Sequence, residues 1–469
     1  MRGWFDLIRS KLSGGRSIFQ YYFCPGGKSA PRAAKNMRRA DIKVLDKPFP
    51  NENNRFIKNS ETPILRTPKT NLTNKTKMKK IFATSVFAMA ALSSNAAPLV
   101  TIGDQLDLFF RGSVTGSWNS NVTYTSSSNK INDYAAIFRL GAEADYGRNS
   151  KFKANVKFFE DLTRYADHKE FNSNLAHVAA TASYTEQVLK IDANFSFDQR
   201  FQNTTTTIQD NALVRYNEYN AGINATYNFS DKIDGEIGGM WQYTEYLGNW
   251  SSEYSDVDVY SIPVSLLYRI TPKISAGLTY QYRYTEFSGG NPLNVLFGGD
   301  TRNDHFGGVT VRGELLPKLS AMVYAGVTYR DPSGSIFVED QDDTTFAFRA
   351  TFGYEVSEKL GLFATGYRDF GNGASRQSAI NSGCEVGANY YFSEFIRSTA
   401  SFSYVNSNYA TYAGRDRDDD TYIGRVGLSY LPNKFLTLSA NYRYMNNSSN
   451  IPGCTYNQHL VDLSVAVKY

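Results

Sequence analysis

"KISAGLTYQYRYTEF", Lys273 to Phe287, decides the fold. Ile274, Ala276, Leu278, Tyr280, Tyr282 and Tyr284 are apolar or aromatic, and Ser275, Gly277, Thr279, Gln281, Arg283 and Thr285 alternate with them. Side chains two apart share one side of a strand, so the stretch predicts a strand with one greasy and one wet face. "TTFAFRATFGYE" from Thr344 and "FLTLSANYRYM" from Phe435 repeat the pattern. At roughly 3.3 Å per residue such strands cross a hydrocarbon layer even when tilted by about 45°.

The residues that lead into this strand, "YRITPKIS" from Tyr268, have counterparts along the chain. These are "YGRNSK" at Tyr146, "YNFSDKID" at Tyr227, "YEVSEKLG" at Tyr354 and "YLPNKFLT" at Tyr430. A period of about forty residues also suits a propeller, but a blade needs four short strands and each period here holds two long ones. Tyr146, Tyr184, Tyr227, Tyr268, Tyr354, Tyr390 and Tyr430 fall at strand ends on the greasy face. Rings with a polar tip favour a membrane interface, so these tyrosines are expected to form the periplasmic aromatic girdle of an outer-membrane barrel. "ELLPKLS" at Glu314 makes an eighth turn without the tyrosine.

Eight turns with both ends of the barrel on one side predict an all-β, antiparallel up-and-down transmembrane barrel of about eighteen strands, within 16–20, with short periplasmic turns. Closure removes exposed strand edges. The final "LVDLSVAVKY" places Val461, Leu463, Val465, Val467 and Tyr469 on one face. A last strand that ends on an aromatic resembles the signal read by the barrel-assembly machinery of Gram-negative bacteria, which makes Tyr469 the expected assembly signal.

Composition narrows the alternatives. Of 469 residues 33 are Tyr and aromatics make up 14%, yet mean hydropathy is −0.42. No apolar run is long enough for a membrane-spanning helix. The net charge of +5 hides two unlike parts: residues 1–77 hold 17 basic and 5 acidic side chains, which leaves 33 basic against 40 acidic for the rest. "MKKIFATSVFAMAALSSNA", Met78 to Ala96, has the charged start, apolar middle and small-residue end of a secretory signal peptide. The expected organisation is a basic disordered leader at 1–77, read as translated upstream sequence, a signal peptide at 78–96 and the barrel at 97–469. Three cysteines make no disulfide framework and leave only a Cys384–Cys454 bridge open.

"GSWNSNVTYTSSSNKINDYAAIF" (Gly116 to Phe138) and "FFEDLTRYADHKEFNSNLAHVAATASY" (Phe158 to Tyr184) resemble the type 2 family of outer-membrane β-barrel porins, uncharacterised barrel proteins for the most part. The features that carry the resemblance are Gly116 and Asn121 at the first strand's end, Asp133 in the first loop, and Tyr165, Asp167 and Asn174 in the second. The likeness is clearest over roughly 104–200. It implies outer-membrane localisation, and some members are thought to export exopolysaccharide. It carries over no catalytic residue.

Enzyme chemistry has little to stand on. Asp167–His168 and Asp304–His305 are the two Asp–His neighbours, and adjacent strand residues face opposite ways, so both are read as ordinary rim residues. There is no metal motif, phosphate loop or dinucleotide loop, and no catalytic residue, cofactor or metal is expected. The acidic runs "EDQDD" from Glu339 and "RDRDDD" from Arg415 could hold Ca²⁺ or bridge lipopolysaccharide, but read more simply as solvated loops. The inward face is the informative one. Arg111, Arg139, Arg283, Arg312, Arg330, Arg349, Arg425 and Arg443 are expected to line the pore, with carboxylates such as Glu143, Asp145, Asp234, Glu236, Glu314 and Glu355 nearer the periplasmic mouth. A low-dielectric wall focuses such charges into the lumen, although the same groups could neutralise one another as a structural network.

The outer loops read as short, so none is expected to fold inward as a constriction. The sequence therefore predicts a porin-like channel for passive diffusion of small polar solutes with a preference for anions, in contact with lipid and lipopolysaccharide and with no nucleic-acid partner. The alternative is an exopolysaccharide-export or surface-attachment barrel.

Overall fold

The computed structural model describes residues 97–126, 130–202, 213–292, 299–333, 343–373, 376–412, 415–451 and 453–469. The leader and signal-peptide readings, and most of "EDQDD", lie outside them. A short strand β1 (Val100–Ile102) precedes the barrel. The first third of the wall is β2 (Leu106–Asn119), β3 (Asp133–Tyr146), β4 (Phe152–Tyr165), β5 (Ser173–Thr185), β6 (Leu189–Gln202) and β7 (Val214–Asn228). The second is β8 (Ile233–Tyr246), β9 (Asp256–Thr271), β10 (Ile274–Ser288), β11 (Thr301–Leu316), β12 (Leu319–Ser333) and β13 (Thr344–Glu355). The third is β14 (Leu360–Asn372), β15 (Ser378–Tyr391), β16 (Ile396–Tyr412), β17 (Arg415–Tyr430), β18 (Leu436–Ser449) and β19 (Tyr456–Lys468).

Each of β2–β19 pairs antiparallel with the next, and β19 returns to β2 from Leu460↔Asn119 to Lys468↔Arg111. The result is a closed barrel of 18 strands. Side chains fasten the seam: Thr115 Oγ1 donates to Ser464 Oγ at 2.6 Å and Ser117 Oγ to Asp462 Oδ1 at 2.6 Å. β1 pairs with the start of β2 and takes up the place that β19 leaves beyond Tyr469. Closure satisfies the backbone within the sheet, which a lipid solvent demands.

The alternation read from the sequence sets the two faces. On β10 Leu278 is 69% exposed and its neighbour Thr279 only 6%. Ile237, Leu266, Val309, Phe346 and Val426 extend the exposed apolar band around the wall. In water such a band would drive association; in a membrane it meets lipid.

All eight expected turns are present between successive strands at the end that holds Tyr469. Pro317 and Lys318 connect β11 to β12 and put Lys318 at φ 68°, in the left-handed region. Gly147 (φ 88°) turns β3 toward β4, where a Cβ would collide with the Phe152 carbonyl. The recurring lysines link neighbouring turns: Lys151 Nζ lies 2.7 Å from Glu186 Oε2, and Lys273 pairs with Glu314. The Lys151 hydrogen bond holds the Glu186 carboxyl below its ordinary pKa and raises that of Lys151. Both groups are open to water, so the pair contributes little to stability.

Candidate functional site

The inward face carries the charge. Of the eight arginines expected there, six pair with carboxylates. Arg111 pairs with Glu143, which Lys468 also approaches at 3.1 Å. Arg139 lies 2.5 Å from Asp161, Arg312 lies 2.6 Å from Glu236, and Arg425 lies 3.3 Å from Glu385. Arg283 reaches Asp304 at 2.6 Å and Asp369 at 2.9 Å, and Arg330 reaches Asp304 at 2.6 Å. Arg443 instead donates to Gln458 Oε1 (2.9 Å) and Tyr124 Oη (3.3 Å). Arg349 is exposed and has no ion-pair partner among the described residues. A lateral ladder, which the sequence did not reveal, joins Asp161 to His177 (3.5 Å), His177 to Asp198 (2.8 Å), Asp198 to Arg200 (3.2 Å) and Arg200 to Glu218 (3.3 Å).

The outer end is narrowed from within. β10 and β14 stand four places apart in the wall, roughly 19 Å at about 4.8 Å per strand. Arg283 of β10 nevertheless bonds Asp369 of β14. The tip of the β14–β15 hairpin must therefore leave the wall and cross toward β10–β12. The last pair between β13 and β14 is Phe348↔Arg368, although β13 continues through Thr344–Ala347 along β12, so Asp369–Asn372 part from β13 while it still has residues to offer. Arg330 is 0% exposed and donates to the Gly371 carbonyl (3.1 Å) and Ser378 Oγ (2.7 Å), with its guanidinium 4.5 Å from the Phe370 ring centroid. Arg302 donates to Asn372 Oδ1 (2.5 Å) and covers the Phe287 ring. Arg376, in the left-handed region at φ 62°, donates to Ser255 Oγ (2.8 Å) and to the carbonyls of Gly299 (3.1 Å) and Gly289 (3.0 Å). The expectation that short outer loops leave the lumen unobstructed is thus corrected. A hairpin enters without a long loop when its strand parts from the neighbouring ladder before the end.

The residues that carried the family resemblance also find physical roles. Asn121 is buried, donates to the carbonyls of Thr125 (2.8 Å) and Asn457 (3.0 Å), and folds the loop after β2 against β19. In that loop Val122, Thr123 and Thr125 are buried, and the Tyr124 ring meets that of Tyr456 edge-on. Asp133 accepts from the backbone N–H groups of Asp167 (3.2 Å) and His168 (2.8 Å) and so anchors the β4–β5 loop. Tyr165 N–H donates to Asn172 Oδ1 at 2.7 Å, and the Asn174 carbonyl accepts from Arg215.

Six of the seven girdle candidates, Tyr146, Tyr227, Tyr268, Tyr354, Tyr390 and Tyr430, are exposed at the turn end of their strands, and Tyr184 is half-buried there. The Asp–His neighbours behave as separate groups or loop anchors: Asp304 points inward to arginine, while His305 Nδ1 lies 2.8 Å from the outward Tyr280 hydroxyl. Cys384 is exposed and Cys454 is buried, and no bridge joins the two. "RDRDDD" is strand, the start of β17, where Arg417 holds Asp419 (2.7 Å), Asn406 holds Asp418 (2.6 Å) and Tyr404 holds Asp420 (2.7 Å).

Between the tip and the wall lies a cavity of about 500 Å³. Cross-strand pairing puts Thr310, Tyr324, Arg349 and Tyr367 side by side in one row. The next row toward the outer end is Gly308, Gly326 and Ala347. Phe306, Met240 and Met322 border the cavity, and Asp369 of the tip closes it above.

Residues 371–469 match the family model described as "Putative beta-barrel porin 2". The match falls on the last strands, whereas the motifs that carried the resemblance lie over 104–200. No curated protein matches the chain. Solved structures that resemble it include the outer membrane protein OpdK of Pseudomonas aeruginosa, at 10% identity over 77% of this chain and 99% of that one, with a TM-score of 0.43. OccAB4 of Acinetobacter baumannii shares 9% identity over 78% and 99% of the two chains, with a TM-score of 0.42. OpdL of Pseudomonas aeruginosa shares 12% over 78% and 99%, with a TM-score of 0.40. The closed ring and its apolar outer band make this chain an outer-membrane β-barrel, similar over residues 371–469 to the family of that model.

Proposed function

We propose that the barrel is a non-enzymatic channel through which small polar solutes diffuse across the outer membrane, with a preference for anions. A barrel of 16–18 strands leaves an aqueous path unless it is plugged. The observation that carries the anion preference is the unequal charge beneath the hairpin tip. Arg283, Arg302, Arg330, Arg349 and Arg376 gather there against Asp300, Asp304 and Asp369. A narrow zone with surplus guanidinium in a low-dielectric wall draws anions and repels cations. In the same reading the exposed tyrosines mark the periplasmic membrane boundary, Tyr469 is read by the assembly machinery, and the outer rim meets lipopolysaccharide.

The export reading finds some support in Tyr324 and Tyr367, whose rings line the lumen and could stack on sugars. The docked tip weighs against a wide path for a polymer. The deciding measurement is the reversal potential of the reconstituted barrel across a KCl gradient. Anion selectivity is expected at low salt and should fade as the Debye length falls from ~30 Å at 0.01 M to ~3 Å at 1 M. Cation selectivity would overturn the preference, and absence of current through well-folded protein would overturn the channel.

A further inference from the structure

We infer that the lipid face of the wall at β13–β16 binds a single-chain anionic amphiphile, a long-chain carboxylate, with its head on Arg368 and its chain in an apolar hollow of the same face. The inference does not depend on the channel reading. Arg368 lies on the outward side of β14: counted by twos it follows Leu362, Ala364 and Gly366, and its cross-strand partners are Phe348 and Ser382. Leu362 pairs with the girdle residue Tyr354 and is exposed. Six residues beyond it, at roughly 3.3 Å each and a tilt of about 45°, Arg368 stands roughly 14 Å into an apolar band about 25 Å tall. A cation at that depth is costly in lipid and points to a function that supplies its partner. Among the described residues its guanidinium donates to Ser382 Oγ at 2.8 Å and meets no carboxylate.

Two features of the wall meet at this residue. Above it β14 parts from β13, and the outward residues Phe348 and Arg368 border the same cavity as lumenal residues do. The foot of the split is therefore reached from the lipid and from the lumen, so a charged head can stay hydrated there. Below it, across the row of Gly366 and the exposed Cys384, lies a hollow of about 710 Å³ on the lipid face. The small residues Ala364, Ala388 and Ala400 leave room in it between the rings of Phe352, Phe402 and Tyr442. From the row of Arg368 to that of Leu362 the face measures roughly 20 Å, the reach of a long acyl chain. A guanidinium offers a planar fork to a carboxylate, and the Ser382 hydroxyl, which accepts from Arg368, can donate its own proton to the same head. The phosphate of a two-chain lipid stays at the headgroup level, above this depth, and a second barrel would bring a convex wall to a hollow. One chain with one charged end suits both parts.

The test is photo-cross-linking of palmitate that carries a diazirine in its chain to the full-length barrel folded in phosphatidylcholine vesicles, at alkaline pH so that the carboxyl is ionised. Labelled peptides are located by mass spectrometry. Hexadecanol and hexadecyltrimethylammonium with the same diazirine keep the chain and change the head. Palmitate should label β14–β16 about tenfold more than either analogue, the scale of a charge-assisted hydrogen-bond pair. Unlabelled palmitate should compete, and butyrate and phosphatidic acid should not. Arg368→Gln should remove the preference for the carboxylate, and Arg368→Lys should keep most of it. Ala388→Trp, which fills the hollow and leaves the charge in place, should weaken palmitate labelling by a similar factor. Arg164→Gln, outward on β4, should leave it unchanged. Heat-modifiable migration confirms folding of each variant, and if Arg368→Gln does not fold, the comparison of heads on the wild type and Ala388→Trp still decide. Equal labelling by the three heads, or unchanged labelling of folded Arg368→Gln or Ala388→Trp, overturns the site. Competition by phosphatidic acid as strong as that by palmitate would assign the face to a two-chain lipid and overturn it. So would copper-catalysed linkage of most of the protein through Cys384 to Cys384 in the membrane, which would assign the face to a second copy.

Discussion

Leu438 and Asn441 lie three residues apart on β18 and face different media. Leu438 pairs with Tyr430 and Val465 on the lipid side, and Asn441 pairs with Gly427 and Asp462 on the lumenal side. Leu438→Arg puts a guanidinium on the lipid face beside the girdle residue Tyr430, where the cost falls from the about 2–4 kcal/mol of the midplane toward about 1 kcal/mol. Asn441→Arg adds a charge to a polar wall. Refolding into lipid vesicles, followed by heat-modifiable migration, should show a modest loss for the first variant and less for the second; equal yields would contradict the facing. This facing was legible residue by residue, because a period of two leaves a side chain only two choices. The partners were not. Arg283 finds Asp369 across 86 positions of sequence, and only the register and the inward bend bring them together. Arg302 and Arg376 escaped notice for the same reason: one opens a strand and the other sits in a loop, and no periodicity sets either apart.

The β14–β15 hairpin is the element that departs from expectation. Its turns and strands were readable from alternation and from the spacing of turn residues. The bend was not, because it depends on where β14 parts from β13 and on contacts across the lumen. Its hold on the wall centres on Asp304, which is 2% exposed and receives both Arg283 and Arg330. Asp304→Asn leaves two guanidiniums without that charge. Loss of one partner of a buried pair costs about 3–5 kcal/mol when the other stays in place. Release of the tip into water relieves part of that penalty. The expected outcome is a folded barrel with a loosened tip and a larger, noisier single-channel conductance in 1 M KCl. Conductance equal to wild type, with unchanged protease protection of the tip, would show that Asp304 does not hold it.

At the scale of the whole molecule the ring closes beside its own end. Tyr469 exchanges backbone hydrogen bonds with Phe110, at 2.9 Å through its N–H and 2.6 Å through its carbonyl, and its ring is exposed next to that of Phe435. Deletion of Tyr469, or Tyr469→Asp, should lower the outer-membrane level of the heat-modifiable form several-fold, about the effect of a 1 kcal/mol change on a partition. Normal levels would remove its role in assembly. The strand number was legible because turns can be counted and closure constrains the total. The constriction, by contrast, emerges only from contacts across the lumen. Those contacts have an unequal distribution along the chain. Every partner of the hairpin tip named above lies between Ser255 and Ser378, whereas the loop after β2 is held by Asn457 and Gln458 from the other end of the chain. The two inward elements therefore differ in their dependence on chain continuity. The start of β2 and Tyr469 lie side by side, so a short linker could join them and new ends could be opened at the turn between β5 and β6. Such a circular permutant would keep the tip and its anchors on one uninterrupted segment.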